Sequence, residues 1–178
     1  MKNVSFFNNA LKFGLYYAVF SIVFTLIIYI LDIKMYETAA SLSILFFSLL
    51  FAVLFILFGI KSYRDKGLGG KITFGQAFGQ GFVIGIIATV ISIIFSYILY
   101  EFIDPSYLPN MLIEAVDYLE SQGIPEQFLE PAVESMESSM TTLGQLKNGL
   151  IGGPIIALII ALIVAAAVKK DTTTPEIS

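Results

Sequence analysis

Apolar residues in this chain do not alternate with polar ones. They gather into four long blocks, Phe13–Leu31, Leu42–Ile60, Phe74–Tyr100 and Asn148–Val168, and none has Lys, Arg, Asp or Glu in its interior. Each block is near the roughly 20 residues that a helix needs to cross about 30 Å of hydrocarbon. A helix buried in a soluble core rarely stays uncharged for that long, so the pattern predicts four spans. The first block outruns the roughly 7–15-residue core of a signal peptide, and no small-x-small site follows it. Asp32, Lys34 and Glu37 come next instead. It is therefore expected to be a retained helix. The third block is long for one span and is expected to tilt, or to begin and end in the interface.

Between the third and fourth blocks the pattern changes. Residues 101–146 hold nine acids, from Glu101 to Glu137, and no base. Their apolar positions recur at helical spacing: Leu112, Val116 and Leu119 share one face, and Leu129, Val133, Met136, Met140 and Leu143 share another. Gly123 reads as the stop of the first helix and Pro125 as a first-turn residue of the second. Pro131 argues for a kink or for a later start. The fold expected is all-α: an integral membrane four-helix bundle with an extracytoplasmic pair of amphipathic helices between the third and fourth spans. Residues 1–170 form a single membrane domain, and residues 171–178 read as a disordered tail.

Composition strengthens the membrane reading. Hydrophobic residues make up 57% of the 178 and charged ones 13%, against about 25% charged in soluble domains. The net charge of −4 hides a segregation of sign. Lys2, Lys12, Lys61, Arg64, Lys66, Lys71, Lys169 and Lys170 fall on one side of the spans, and only Lys34 and Lys147 on the other. Positive charge resists translocation, so both termini are expected in the cytoplasm. Tyr16, Tyr17, Tyr29, Tyr97 and Tyr100 stand near the block ends, where amphipathic rings favour the headgroup zone. With no cysteine and no histidine, disulfides, thiolate nucleophiles, the usual zinc ligand sets and histidine acid–base chemistry are excluded. The bases form no aromatic-laced stripe, so no nucleic-acid partner is expected. Glu126, Glu130 and Glu134 recur every fourth residue, and a divalent cation would relieve their repulsion. A solvated acidic face is the preferred reading, and no metal or cofactor is expected.

The stretch GGKITFGQAFGQGFVIG over residues 69–85 admits two readings. A phosphate-binding loop needs G-x-x-x-x-G-K-[ST], but Ile72 stands at the Ser/Thr position and Asp65 at the first glycine. A G-x-G-x-x-G fingerprint would need glycine at Ile72 or Ile84. The membrane reading fits better. Gly75/Gly79 and Gly81/Gly85 are G-x-x-x-G pairs, the spacing that lets helix backbones approach closely. Gly149, Gly153, Ala157, Ala161 and Ala165 make a matching row in the fourth block. An intramolecular seam between the third and fourth helices is preferred, with a dimer interface as the competitor. Thr73, Gln76 and Gln80 stand near the cytoplasmic end, either bonding across to another helix or facing headgroups. Pro154 beside Gly152 and Gly153 predicts a kink.

These residues also carry a resemblance. Lys12-Phe13-Gly14, Tyr63-Arg64-Asp65-Lys66, Gly70-Lys71-Ile72-Thr73-Phe74-Gly75-Gln76-Ala77, Asp104-Pro105, Gln122-Gly123 and Lys169-Lys170 occur in an order and spacing that resembles the DUF4199 family of small four-helix bacterial membrane proteins. The resemblance implies the same topology and a place in the bacterial inner membrane. It implies no activity and no catalytic residues.

Ion pathways and proton relays usually leave ionisable residues inside the spans, and here only Ser, Thr and Gln interrupt the apolar runs. The function expected is therefore a non-enzymatic structural or interaction component of the inner membrane. It would contact the lipid bilayer and either a second copy or another membrane protein. A small transporter or channel subunit is the alternative.

Overall fold

The computed structural model describes residues 4–169; the tail expected at 171–178 lies outside the described residues. The chain forms α1 (Phe6–Ile30), α2 (Thr38–Gly67), α3 (Phe74–Ile98), a π-helical turn (Leu99–Ile103), α4 (Tyr107–Ser121), α5 (Glu126–Ser139) and α6 (Thr142–Val168). Among the described residues there is no strand. Helices α1, α2, α3 with its π turn, and α6 are long and apolar enough to cross a membrane.

Helices α1, α2 and α6 start ahead of their apolar blocks, and for α1 and α6 a side-chain cap fixes the start. Ser5 Oγ accepts from the Asn8 N–H (3.3 Å), so α1 begins at Phe6 rather than Phe13. Thr73 and Gln76 form a reciprocal capping box, each side chain accepting from the other's backbone N–H at 3.3 and 3.1 Å, which satisfies two orphan donors at the head of α3. Thr141 Oγ1 accepts from the Gly144 N–H (3.0 Å). That cap starts α6 at Thr142, inside the segment assigned above to the acidic helices. Leu143 therefore belongs to α6 and does not share the α5 face of Leu129 and Val133; α5 ends at Ser139. Pro131 lies inside α5 and does not delay its start at Glu126. Gly123, at φ +68°, ends α4, a backbone conformation that costs glycine little.

Helix α3 is the hub. It packs most extensively against α6 and α1 and less against α2, while α2 also touches α1 and α6. Helices α1 and α6 flank α3 without packing extensively on each other. The bundle has two dissimilar ends. Where α1 begins, α2 turns into α3 and α6 finishes, an aliphatic core of Ile56, Ile60, Ile72, Ile84, Val164 and Ala165 is buried. The α2–α3 turn that closes this end uses Gly69 (φ +69°) and Gly70 (φ +95°). Within the core, Asn9 and Gln80 are only 2% and 0% exposed. Asn9 Nδ2 donates to the Gly59 carbonyl (2.9 Å). In the amide orientation that satisfies both groups, Gln80 accepts from Asn9 Nδ2 and the Ala10 N–H (both 2.9 Å) and donates to the Phe6 carbonyl (3.2 Å). Of the two glutamines singled out above, Gln80 thus ties α3 to α1, and Gln76 caps its own helix.

At the other end, α4 and α5 pack on each other, and α5 packs against the head of α6. The α1–α2 connection is clasped to α4. Lys34 Nζ lies 2.7 Å from both Asp32 Oδ2 and Glu114 Oε2, and the Tyr36 hydroxyl donates to the same Glu114 oxygen (3.1 Å).

Candidate functional site

Three observations decide where a site exists: where the helices touch, where they part, and which polar groups find no protein partner. They touch along part of the small-residue rows. A Cβ added at Gly85 would lie 2.5 Å from Ala157 Cβ. One at Gly81 would lie 2.9 Å from Ile56 Cγ2 and 3.2 Å from Ala161 Cβ. Gly153 faces Thr89, and a Cβ at Gly149 would stand 3.1 Å from Ile93 Cγ1. Ala157, Ala161 and Ala165 are buried. Gly75 makes no such approach, with nothing within 4 Å of its Cβ position, and Gly79 makes only ordinary contact with the Phe6 ring at 3.7 Å. Both lie in the opening turns of α3, and Gly75 is exposed beside the capping box. The sequence pattern passed over two other approaches. Gly14 brings α1 onto Ile87 of α3, where an added Cβ would sit 2.7 Å away, and Gly59 abuts Phe13 at 3.2 Å.

Toward the α4–α5 end the helices part around a cavity of about 350 Å³ between α1, α3 and α6. Its walls are Tyr17 and Ser21 of α1, Thr89, Ser92 and Ser96 of α3, and Asn148 and Gly153 of α6. A second cavity of about 230 Å³ shares Ser96, Tyr100 and Gln145 with the first and adds Thr25 of α1 and Ser48 of α2. A third of about 180 Å³ reaches from Tyr17, Thr89 and Gly153 toward the aliphatic core. No acid or base lines any of the three.

The lining is chemically specific. Among the described residues, the hydroxyls of Tyr17, Ser21, Thr25, Ser48, Thr89 and Ser92 make no hydrogen bond with the protein, and no buried side-chain polar atom is cut off from accessible space. These hydroxyls face the cavities rather than neighbouring carbonyls. Reached by open space and bonded to nothing in the protein, they are free to donate to and accept from a partner outside it. Tyr17 is held in place by ring stacking on Phe55 of α2, with centroids 5.4 Å apart. Gln145 is anchored at one end, its Nε2 donating to the Ser139 carbonyl (3.1 Å).

The π-helical turn and the start of α4 form the roof. Tyr100 stacks on Tyr107 with centroids 6.0 Å apart, and Tyr29 meets Tyr107 edge-on at 5.2 Å. The Tyr29 hydroxyl donates to Asp104 Oδ2 (3.0 Å), while Asp104 Oδ1 accepts from the Ser106 hydroxyl (2.6 Å) and N–H (3.1 Å). Those donors, Ser106 first, hold the Asp104 carboxyl below its usual range. Lys34 and then Tyr36 do the same for Glu114, and the Asp32 and Glu114 carboxylates raise the Lys34 ammonium. Burial pushes the Tyr107 phenol up to about 12.

Outside the roof, Val116, Leu129 and Val133 floor a groove rimmed by Glu120, Glu126 and Glu130. Among the described residues, no three acids are grouped to hold a metal ion.

The cavity residues were not singled out as a site in the sequence. Their signal is a hydroxyl at every fourth position of α1 (Tyr17, Ser21, Thr25) and a row on α3 (Thr89, Ser92, Ser96) continued by Tyr100 of the π-helical turn. Each repeat keeps to one helical face.

A family model described as "Protein of unknown function (DUF4199)" matches residues 12–170. No curated protein and no solved structure matches the chain.

Proposed function

The chain belongs to the DUF4199 family, and from that premise we propose that it is a non-enzymatic, multi-pass component of the bacterial inner membrane. Both termini and the α2–α3 turn stay in the cytoplasm, and α4 and α5 lie outside. The bias of Lys and Arg supports the orientation. The observation that carries the non-enzymatic reading is the lining of the interhelical cavities, which offers hydroxyls and amides but no acid, base or activated nucleophile. An enzyme would need such groups in named roles. The α3–α6 approach through Gly81, Gly85, Gly149 and Gly153 supports a rigid scaffold that presents its outer faces to lipid, to a second copy or to another membrane protein. Topology is tested by labelling single cysteines in intact spheroplasts: an impermeant thiol reagent is expected to tag Glu130→Cys and spare Asp65→Cys. The reverse pattern defeats the reading. Gentle solubilisation is expected to recover a partner or an oligomer, and repeated recovery of a bare monomer counts against the interaction role.

A second reading, a small transporter or channel subunit, is favoured by one observation: the cavities lie among the four helices able to span the membrane. Flux through reconstituted vesicles that disappears in Gly153→Leu supports it, and vesicles no leakier than protein-free ones remove it.

A further inference from the structure

We propose that the cavity between α1, α3 and α6 binds an uncharged polyol, presented either by a free sugar-sized molecule or by the headgroup of a neutral glycolipid. This rests on the membrane reading above and adds a ligand class to it. Polar groups come from opposite walls, with Tyr17 and Ser21 on α1 and Thr89 and Ser92 on α3. None of these four hydroxyls is bonded to the protein. A hydroxyl both donates and accepts, so a wall of hydroxyls is complementary to a ligand that does likewise. Asn148 and Gln145 add amides that also do both. An ionic ligand is disfavoured, because no opposite charge lines the cavity to offset its desolvation. The Tyr17 and Tyr100 rings supply flat apolar surface to a molecule whose C–H faces are apolar and whose edge is hydroxylated. A volume of about 350 Å³ lies within the roughly 300–1,000 Å³ typical of small-molecule sites. The aliphatic core around Ile56, Ile60 and Ile84 blocks the far end, so the ligand enters from the α4–α5 side or between helices.

The test is thermal unfolding of the full chain in a polyoxyethylene detergent, whose headgroup carries no sugar. Glucose and myo-inositol are compared with their charged counterparts gluconate and glucosamine. A neutral polyol well above its dissociation constant is expected to raise the unfolding temperature by about 3 °C, and the charged compounds are not. Thr89→Val and Ser92→Ala are expected to abolish the rise. Because those hydroxyls have no protein partner, unfolding without ligand should change by about 1 °C or less. Ser21→Ala, on the opposite wall, serves if either variant fails to fold. The same measurement in phosphatidylcholine nanodiscs with and without glucosyl diacylglycerol separates the sources. A rise with free sugar assigns a soluble ligand, and a rise with the glycolipid alone assigns a headgroup. No rise from either, an equal rise with gluconate, or a rise that survives the variants overturns the proposal. With the labelling pattern of Glu130→Cys and Asp65→Cys intact, such a result leaves the membrane reading standing. A reversed pattern sinks that reading whatever the sugars do.

Discussion

In the half of the bundle that holds Ile56, Ile60 and Ile84, the helices meet through glycines and aliphatic side chains, and the two buried amides bond to each other and to backbone. In the half that holds Ser21, Thr89 and Ser92, the same helices part around hydroxyls that pair with nothing in the protein. One stretch of α3 runs through both. It carries Gly81 and Gly85 where neighbours press in, then Thr89, whose methyl still meets Gly153, and Ser92 and Ser96 where the helices withdraw. The difference teaches that polarity inside an apolar bundle has two uses. Asn9 and Gln80 spend their hydrogen bonds on helix–helix attachment, whereas the cavity hydroxyls keep theirs available. Glycines divide too, since Gly85 and Gly153 admit a close neighbour whereas Gly152 and Gly75 face open space.

The largest test of this contrast is Gly85→Leu. The Ala157 Cβ already stands 2.5 Å from where the first added carbon would go, so the variant is expected to lose about 3 kcal/mol or more, the upper range for overpacking. Chaotrope unfolding in micelles measures it. Gly152→Ala, with nothing within 4 Å of its Cβ position, is the matched control. Equal losses would erase the distinction between packed and open glycines.

Removing polarity from each half comes next. Gln80→Leu strips a bonded, fully buried amide and is expected to cost about 1–3 kcal/mol. Thr89→Val removes an unbonded hydroxyl at nearly constant shape and is expected to cost under about 0.5 kcal/mol, within the range of uninvolved substitutions. Both are read from the same unfolding curves. Comparable costs would mean that Thr89 is structural after all.

The clasp over the open half responds to pH. Glu114 and Asp104 sit below their ordinary values when folded. Their contribution is therefore complete above the unfolded carboxylate range near pH 4 and fades as pH falls through the folded values. Lys34 is raised, so its contribution is complete below about pH 10.4, the unfolded lysine value, and is lost as pH rises through the folded one. Amide exchange in α4 is expected to stay slow between those limits and to quicken outside them, with no matching change around Ile60. Lys34→Met should quicken α4 exchange at neutral pH as well.

The smallest effect is Gly75→Ala. With open space around Gly75, the helix gains an alanine where glycine costs about 0.5–1 kcal/mol. A slight rise in stability is expected, and a loss would mean that another copy of the chain packs there.

Much of this architecture was legible in the residues. The uncharged blocks marked the four long helices, because hydropathy reports directly on burial in an apolar medium. Gly123 marked the end of α4 because a positive φ is nearly a glycine property. Spacing also marked Gly81, Gly85, Gly149 and Gly153, but it could not separate them from Gly75, since a repeat shows which residues share a face and not what that face meets. The Asn9–Gln80 pairing was hidden because it joins helices distant in sequence, and Asn9 precedes the first apolar block. The cavity was harder still. Thr89 and Ser92 look like small packing residues until α1 and α6 are seen to flank α3 without closing on each other.

The most direct measurement of the two-half contrast uses the absence of native cysteine. Ala77→Cys and Ser92→Cys, both on α3, are exposed in turn to a small water-soluble thiol reagent. Ser92→Cys is expected to react at least about tenfold faster, the ratio set by roughly 1.4 kcal/mol of easier access. Equal rates at the two positions, or faster reaction at Ala77→Cys, would contradict it.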